Sequence, residues 1–124
     1  MPHQVKVIHA SDFIRARPEG EFDLEASERL LGEIAKAGAA LEDFEILLDV
    51  RKAQGTMSAT DLWSLAEHLM HYRSTFARKT AILCPLERFD RARFFALCAE
   101  NRGFNLQAFT EYEIAMEWLM AEAA

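Results

Sequence analysis

The sequence predicts an α/β fold: a mixed, mostly parallel five-stranded sheet with helices mainly on one face. Two observations carry this. Between Phe44 and Phe109, strand-like and helix-like patterns alternate in succession: FEILLDV, SATDLWSLAEHL, KTAILC, RFDRARFFALCAEN and FNLQAF. Two consecutive βαβ units need parallel neighbours. The strands alternate apolar and polar residues, whereas parallel strands covered on both faces are usually apolar throughout. Right-handed crossovers that all step the same way then place their helices on one face and leave the other partly covered.

Each element has its own warrant. Residues 4–9 read as a first strand and residues 13–22 as a second, with Pro18 and Gly20 marking a bend or edge irregularity. The short link at 10–12 makes these two a hairpin, hence antiparallel. Asp23 caps a helix over 24–37, with an apolar stripe of Leu24, Leu30, Leu31, Ile34 and Ala35 and with Gly38 at its end. Residues 38–43 form the exit loop. Strand 44–50 turns Phe44, Ile46, Leu48 and Val50 one way and Glu45, Leu47 and Asp49 the other. Ser58 opens a capping-box-like S-A-T-D, with Asp61 for the usual Glu, before a helix over 59–73 carrying Leu62, Leu65, Ala66 and Leu69. Pro85 stops a strand at 79–84. Asp90 caps a helix over 91–101, and Gly103 suits the left-handed exit. In the last strand, 104–109, Phe104, Leu106 and Ala108 oppose Asn105, Gln107 and Phe109. Thr110 to Glu113 spell a full capping box for a final helix over 111–122. There Ile114, Ala115, Trp118 and Leu119 face the core. Met116 and Met120, with Tyr112, form a displaced, partly exposed row, an expected homodimer face.

The 124 residues fit a single domain, 1–124, and 51% apolar content is ample for a core without a disulfide or metal staple. Twenty acidic against fourteen basic residues give a net charge of -6, which argues against nucleic acid as a partner. The start lacks the basic-then-apolar order of a signal peptide. No segment approaches the ~20 apolar residues of a membrane span. Cys84 and Cys98 each sit in an apolar run, so buried reduced thiols and a cytoplasmic setting are expected.

Catalytic and cofactor motifs are absent: no GxGxxG, no GxxxxGK[ST] and no GxSxG occur. His68 and His71 fall off the apolar stripe of their helix and read as surface histidines rather than metal ligands. Asp49 has no second acid beside it in sequence, so a structural role is expected. No nucleophile, base or metal set assembles, which points away from an enzyme. The basic residues are more informative. Arg51 with Lys52, and Arg88, Arg91 and Arg93 around Phe89 and Asp90, fall at the carboxyl ends of strands. Ligands of open α/β sheets collect at that edge, and helix amino termini there favour anions. These arginines are candidates for an anion site or a docking surface. A solvated helix start with local Arg–Asp pairing is the plain alternative. Ser58 is expected as an N-cap and is also a phosphorylation candidate, because a helix amino terminus tolerates a phosphate.

The stretches LLDVRKAQGTMSATDL, KTAILCPLERFDRARFFALCAENRGFN and AFTEYEIAMEWL together resemble STAS domains, the anti-sigma-factor antagonist family. The likeness is nearest to the small stand-alone bacterial members of unknown function, of which Ala115-x-x-Trp118-Leu119 is typical. The resemblance implies a (βα) superhelix related to Sec14-like lipid-binding domains and a non-enzymatic regulatory or protein-interaction role. In antagonists a D-S-[ST]-G motif opens the second helix, and a partner kinase phosphorylates its serine. An ungapped match places Ser58 at that serine, with Met57, Ala59 and Thr60 standing for the Asp, the second hydroxyl residue and the Gly. A Ser kinase or phosphatase is the partner this implies, docking at 51–58 and 85–90. The alternative is a small apolar or anionic, lipid-like ligand. Trp63, Phe94, Phe95 and Phe109 would then line a cavity, with Arg88 or Arg91 holding an anionic head.

Overall fold

Period-two alternation in five segments builds one sheet. The computed structural model describes residues 3–8, 13–41, 44–55 and 57–121. Its strands are β1 (His3–Ile8), β2 (Phe13–Pro18), β3 (Gly20–Glu21), β4 (Glu45–Asp49), β5 (Ala53–Gln54), β6 (Thr80–Leu83) and β7 (Leu106–Phe109). Its α-helices are α1 (Leu24–Gly38), α2 (Ala59–His68), α3 (Phe89–Glu100) and α4 (Tyr112–Met120). The main sheet has the order β1-β2-β4-β6-β7. β1 and β2 are an antiparallel pair, and every other pairing is parallel. Among the described residues no helix is long and apolar enough to cross a membrane.

The register sorts the side chains into two layers. Ile14, Ala16, Ile46, Ile82 and Leu106 pack beneath α1, α2 and α3, which contribute residues such as Leu31, Ile34, Leu65, Phe95 and Ala99. The opposite face carries Leu47, Ala81 and Leu83, covered by Ala115 and Leu119 of α4. Helices therefore lie mainly on one face, and α4 is the exception. Helices α1 to α3 each lead into a following parallel strand, so crossover handedness fixes their side. Among the described residues no strand follows α4, and it takes the second apolar layer. Leu47, the apolar residue on the otherwise polar side of its strand, marks that layer.

Several local expectations change. The segment 13–22 divides: β2 ends at Pro18, and Gly20–Glu21 pairs in parallel with Ala53–Gln54 as a separate two-stranded sheet. Proline cannot donate to a ladder, so the break falls there. Helix 59–73 ends at His68 and tightens into 3-10 turns at Leu69–Tyr72 and Thr75–Ala77, burying Leu69 and Phe76. Asp90 is not the cap of α3. A 3-10 turn at Leu86–Arg88 runs directly into the helix at Phe89, leaving Asp90 in the first turn. The Thr110 capping box does not form. Glu111 is extended and occupies the cap position without a side-chain bond, so Thr110 lies outside the helix end. Ile114 is exposed rather than core-facing, and Met116 is partly buried against the α4 layer, while Met120 and Tyr112 are exposed. Gly38 is the last helical residue, and its use is close packing: a Cβ there would lie 2.7 Å from the Phe44 ring.

Other signals hold. The Ala26 N–H donates to Asp23 Oδ1 at 2.8 Å, capping α1. Gly103 has φ 93°, and the Phe104 and Gly103 amides donate to Ala99 and Glu100, closing α3. Residues 9–12, 42–43 and 122 of the expected elements lie outside the described residues.

Gly55 holds the two-stranded β3–β5 sheet against the chain that follows β3. Its φ is 120°, and a Cβ would meet the Phe22 carbonyl oxygen at 2.9 Å. Gly55→Ala is expected to lower stability by more than about 1 kcal/mol. A urea denaturation series measures it, and an unchanged midpoint would show that this close approach is not retained in solution.

Candidate functional site

Parallel pairing brings the carboxyl ends of β4 and β6 to one edge, and α2 and α3 start beside it. Between this end of the sheet and α1 to α3 lies a cavity of about 130 Å³. Leu48 and Ile82 form its floor, Leu30, Leu65 and Phe95 its walls, and Gln54, Gly55, Met57, Arg88 and Arg91 its mouth. The lining is overwhelmingly apolar. A cavity of ~150 Å³ lined by Leu, Ile and Phe stays dry and admits benzene. The present cavity is of that order: room for a ring or a short alkyl chain, not for a whole lipid.

Arg88 and Arg91 both reach from the start of α3 to the segment that follows β4. Arg88 Nη2 donates to the Val50 carbonyl at 2.9 Å. Arg91 Nη1 donates to the Met57 carbonyl. Arg93, expected in the same cluster, turns away and lies over the Phe89 ring at 5.8 Å. Two further polar groups line the cavity. Ser27 Oγ lies 3.8 Å from the Met57 sulfur, and the Cys84 thiol donates to the Phe109 carbonyl at 3.5 Å. Burial pushes the Cys84 thiol up, against the pull of Arg88, so it stays protonated and is not an activated nucleophile.

Arg51 is held differently. Its Nε and Nη2 donate to the two oxygens of Asp49 at 2.9 and 2.8 Å, and its backbone N–H adds a third bond at 3.1 Å. Arg17 Nε lies 3.9 Å from the same carboxylate. Asp49 is buried. Burial alone would raise its pKa, but the bonds and charge of Arg51 outweigh burial and hold the carboxyl below its ordinary value. Asp49 thus has the structural role expected of it, and Arg51 is anchored beside the cavity edge rather than over the mouth.

Ser58 is the exposed N-cap of α2. The Asp61 N–H donates to Ser58 Oγ at 3.1 Å, and the Ser58 N–H donates to Asp61 Oδ2 at 3.2 Å, a complete capping box. Of the four aromatics expected to line a cavity, Phe95 does. Trp63 and Phe94 are exposed, the former beneath Arg102 at 4.9 Å. Phe109 packs on Trp118 across the other sheet face, 5.5 Å between ring centres. The His68 and His71 rings lie 5.0 Å apart, tilted by 39°, with His68 Nδ1 3.9 Å from Glu28. Among the described residues no group of three His, Cys, Asp or Glu could hold a metal ion. Sequence reasoning missed Met57 and Ser27 as cavity residues. Ser27 interrupts the apolar spacing of α1, one turn before Leu30 and Leu31, and its placement there is the one available signal.

No family model matches the chain, and no curated protein matches it significantly. Solved structures do. One is an uncharacterized protein of the DUF3478 family with a SpoIIAA-like fold from Shewanella loihica PV-4. It is 15% identical, with a TM-score of 0.63 over 95% of this chain and 92% of that one. Another is the anti-sigma factor antagonist SpoIIAA in its unphosphorylated form. It is 18% identical, with a TM-score of 0.56 over 97% of this chain and all of the other. The chain has the SpoIIAA-like, STAS-type fold.

Two outcomes test the local chemistry. Ser58→Ala is expected to cost about 0.5–2 kcal/mol, and Ser58→Asp, which keeps an acceptor, much less. Equal losses in chemical denaturation would mean that the hydroxyl is not the cap. The depressed Asp49 carboxyl adds stability that is full above its unfolded pKa, about 4, and is lost as pH falls through the lower folded value. The stability gap between the wild-type chain and Asp49→Asn should therefore be constant at neutral pH and shrink below about pH 4. A gap that widens on acidification would reverse the assignment.

Proposed function

We propose that the chain is a non-enzymatic binding module of STAS type that takes a small amphiphile, with a short apolar tail and an anionic head, at the carboxyl edge of its sheet. One observation carries this: an apolar cavity whose mouth is crossed by two arginines. Each guanidinium has five donors and a permanent charge. A carboxylate at the mouth could pair with Arg91 while the tail enters between Leu65, Ile82 and Phe95. Burying five or six methylenes at ~0.8 kcal/mol each amounts to about 4–5 kcal/mol, a millimolar to submillimolar affinity. A longer tail exceeds the cavity. A cytoplasmic setting accords with this reading, since Cys84 and Cys98 are buried and free.

A second reading rests on Ser58. Its hydroxyl is exposed one residue from the cavity-lining Met57. A phosphate there would meet the Asp61 carboxylate, break the capping box by like-charge repulsion and shift the mouth. A Ser kinase or phosphatase would then be the protein partner. Phosphopeptide mapping in cells across growth states tests it, and persistent absence of phospho-Ser58 removes it.

For the ligand reading, hexanoate is expected to bind in isothermal titration with Kd on the order of 0.1–1 mM, and hexanol more weakly. Arg91→Ala should remove the preference for the carboxylate. Ala92→Leu, which fills the cavity, should abolish binding of both. Absence of binding, or binding indifferent to Ala92→Leu, would contradict the proposal.

A further inference from the structure

A surface independent of the cavity lies along α3 and β7. β7 ends the sheet and pairs only with β6 among the described residues. The Thr80 and Cys84 amides donate to the Asn105 and Phe109 carbonyls, so these residues turn their main-chain groups inward. Parallel alternation leaves those of Leu106 and Ala108 directed to the open edge. An unpaired strand edge is a template for another strand, and β7 carries neither Lys nor Pro to block it. Beside the edge, α3 exposes Phe94 and Leu97, 38% and 55% accessible. A groove of about 500 Å³ runs between helix and strand.

The charges along this groove are ordered. Arg93 lies four residues before Leu97, and Glu100 three residues after it, both exposed and both lining the groove; Asp90, the third charge there, lies beyond Arg93 in the first turn of α3. A two-fold axis perpendicular to the sheet near Leu97 would set α3 antiparallel to its copy. Arg93 then meets Glu100 of the second molecule twice over, with Phe94 and Leu97 between the pairs and β7 beside β7. Such an isologous patch must be self-complementary, and this one is: opposite charges lie on either side of an apolar centre. We infer that α3 and β7 form a homodimer face, joining two sheets edge to edge. The twelve-residue helix and four-residue strand are short. Elements this short bury an area expected at the low end of specific interfaces, and the molecule carries net charge -6. The dimer is therefore weak, with Kd on the order of 10 μM.

Sedimentation velocity of the intact chain from 5 to about 500 μM tests this, bracketing the expected Kd. The mass should rise towards that of two chains with concentration. Leu97→Glu should leave a monomer throughout, with an unchanged thermal transition, since Leu97 is exposed. Arg93→Glu and Glu100→Arg should each weaken association at least tenfold, and the double swap should restore it to within about threefold of the wild-type chain, as exposed pairs of restored sign allow. A monomer at the highest concentration, a dimer indifferent to Leu97→Glu, or a double swap no better than the single ones would overturn the inference. A monomer whose β7 edge pairs with another protein's strand would overturn it equally.

Discussion

Strand β4 is the constraint on which the rest depends. It runs through the middle of the sheet, with β2 and β6 parallel on either side. Ile46 and Leu48 look into the layer beneath α1 to α3, and Leu47 looks into the layer beneath α4. Its last residue, Asp49, is buried and satisfied by Arg51 two residues on. A buried carboxylate without such a partner would be expensive. The ion pair thus lets the strand end inside the protein, and the chain turns at once into the segment that roofs the cavity. Val50 and Met57 on that segment supply the carbonyls that Arg88 and Arg91 hold.

The cavity follows from the same arrangement. Parallel crossovers place the starts of α2 and α3 together, and the segment between β4 and α2 must pass over the gap between them and the sheet. The β3–β5 pairing pins its first half, through the Phe22 amide on Gln54 and the Gly20 amide on Lys52. The capping box at Ser58 pins its far end. Between these anchors Arg88 and Arg91 reach across to the Val50 and Met57 carbonyls, above the apolar cavity.

The sequence made the local periodicities legible. Alternation in 44–50 and the stripe Leu62, Leu65, Ala66 name their elements because periods of two and 3.6 act over a few residues. Long-range events were not legible in this way. The division at Pro18 depends on Gly20 finding Ala53, thirty-three positions along. The side taken by α4 depends on an unfilled apolar layer rather than on anything within the helix. The cavity is a gap among residues from many elements, which no single segment encodes. At 3.6 residues per turn, Arg93 stands about 200° around α3 from Arg91, and it lies over the Phe89 ring rather than beside the other two arginines. Ser58 was legible because a cap is local, whereas whether it is modified depends on a partner.

The proposed ligand is a short anionic amphiphile entering beneath Arg88 and Arg91. Methyl NMR of the intact chain with hexanoate tests it most directly. Shifts, and contacts from the ligand chain, are expected at Leu30, Leu48, Leu65 and Ile82, while Leu47, Leu83 and Leu119 across the sheet stay unmoved. Shifts confined to surface methyls, or equal on both faces, would contradict it.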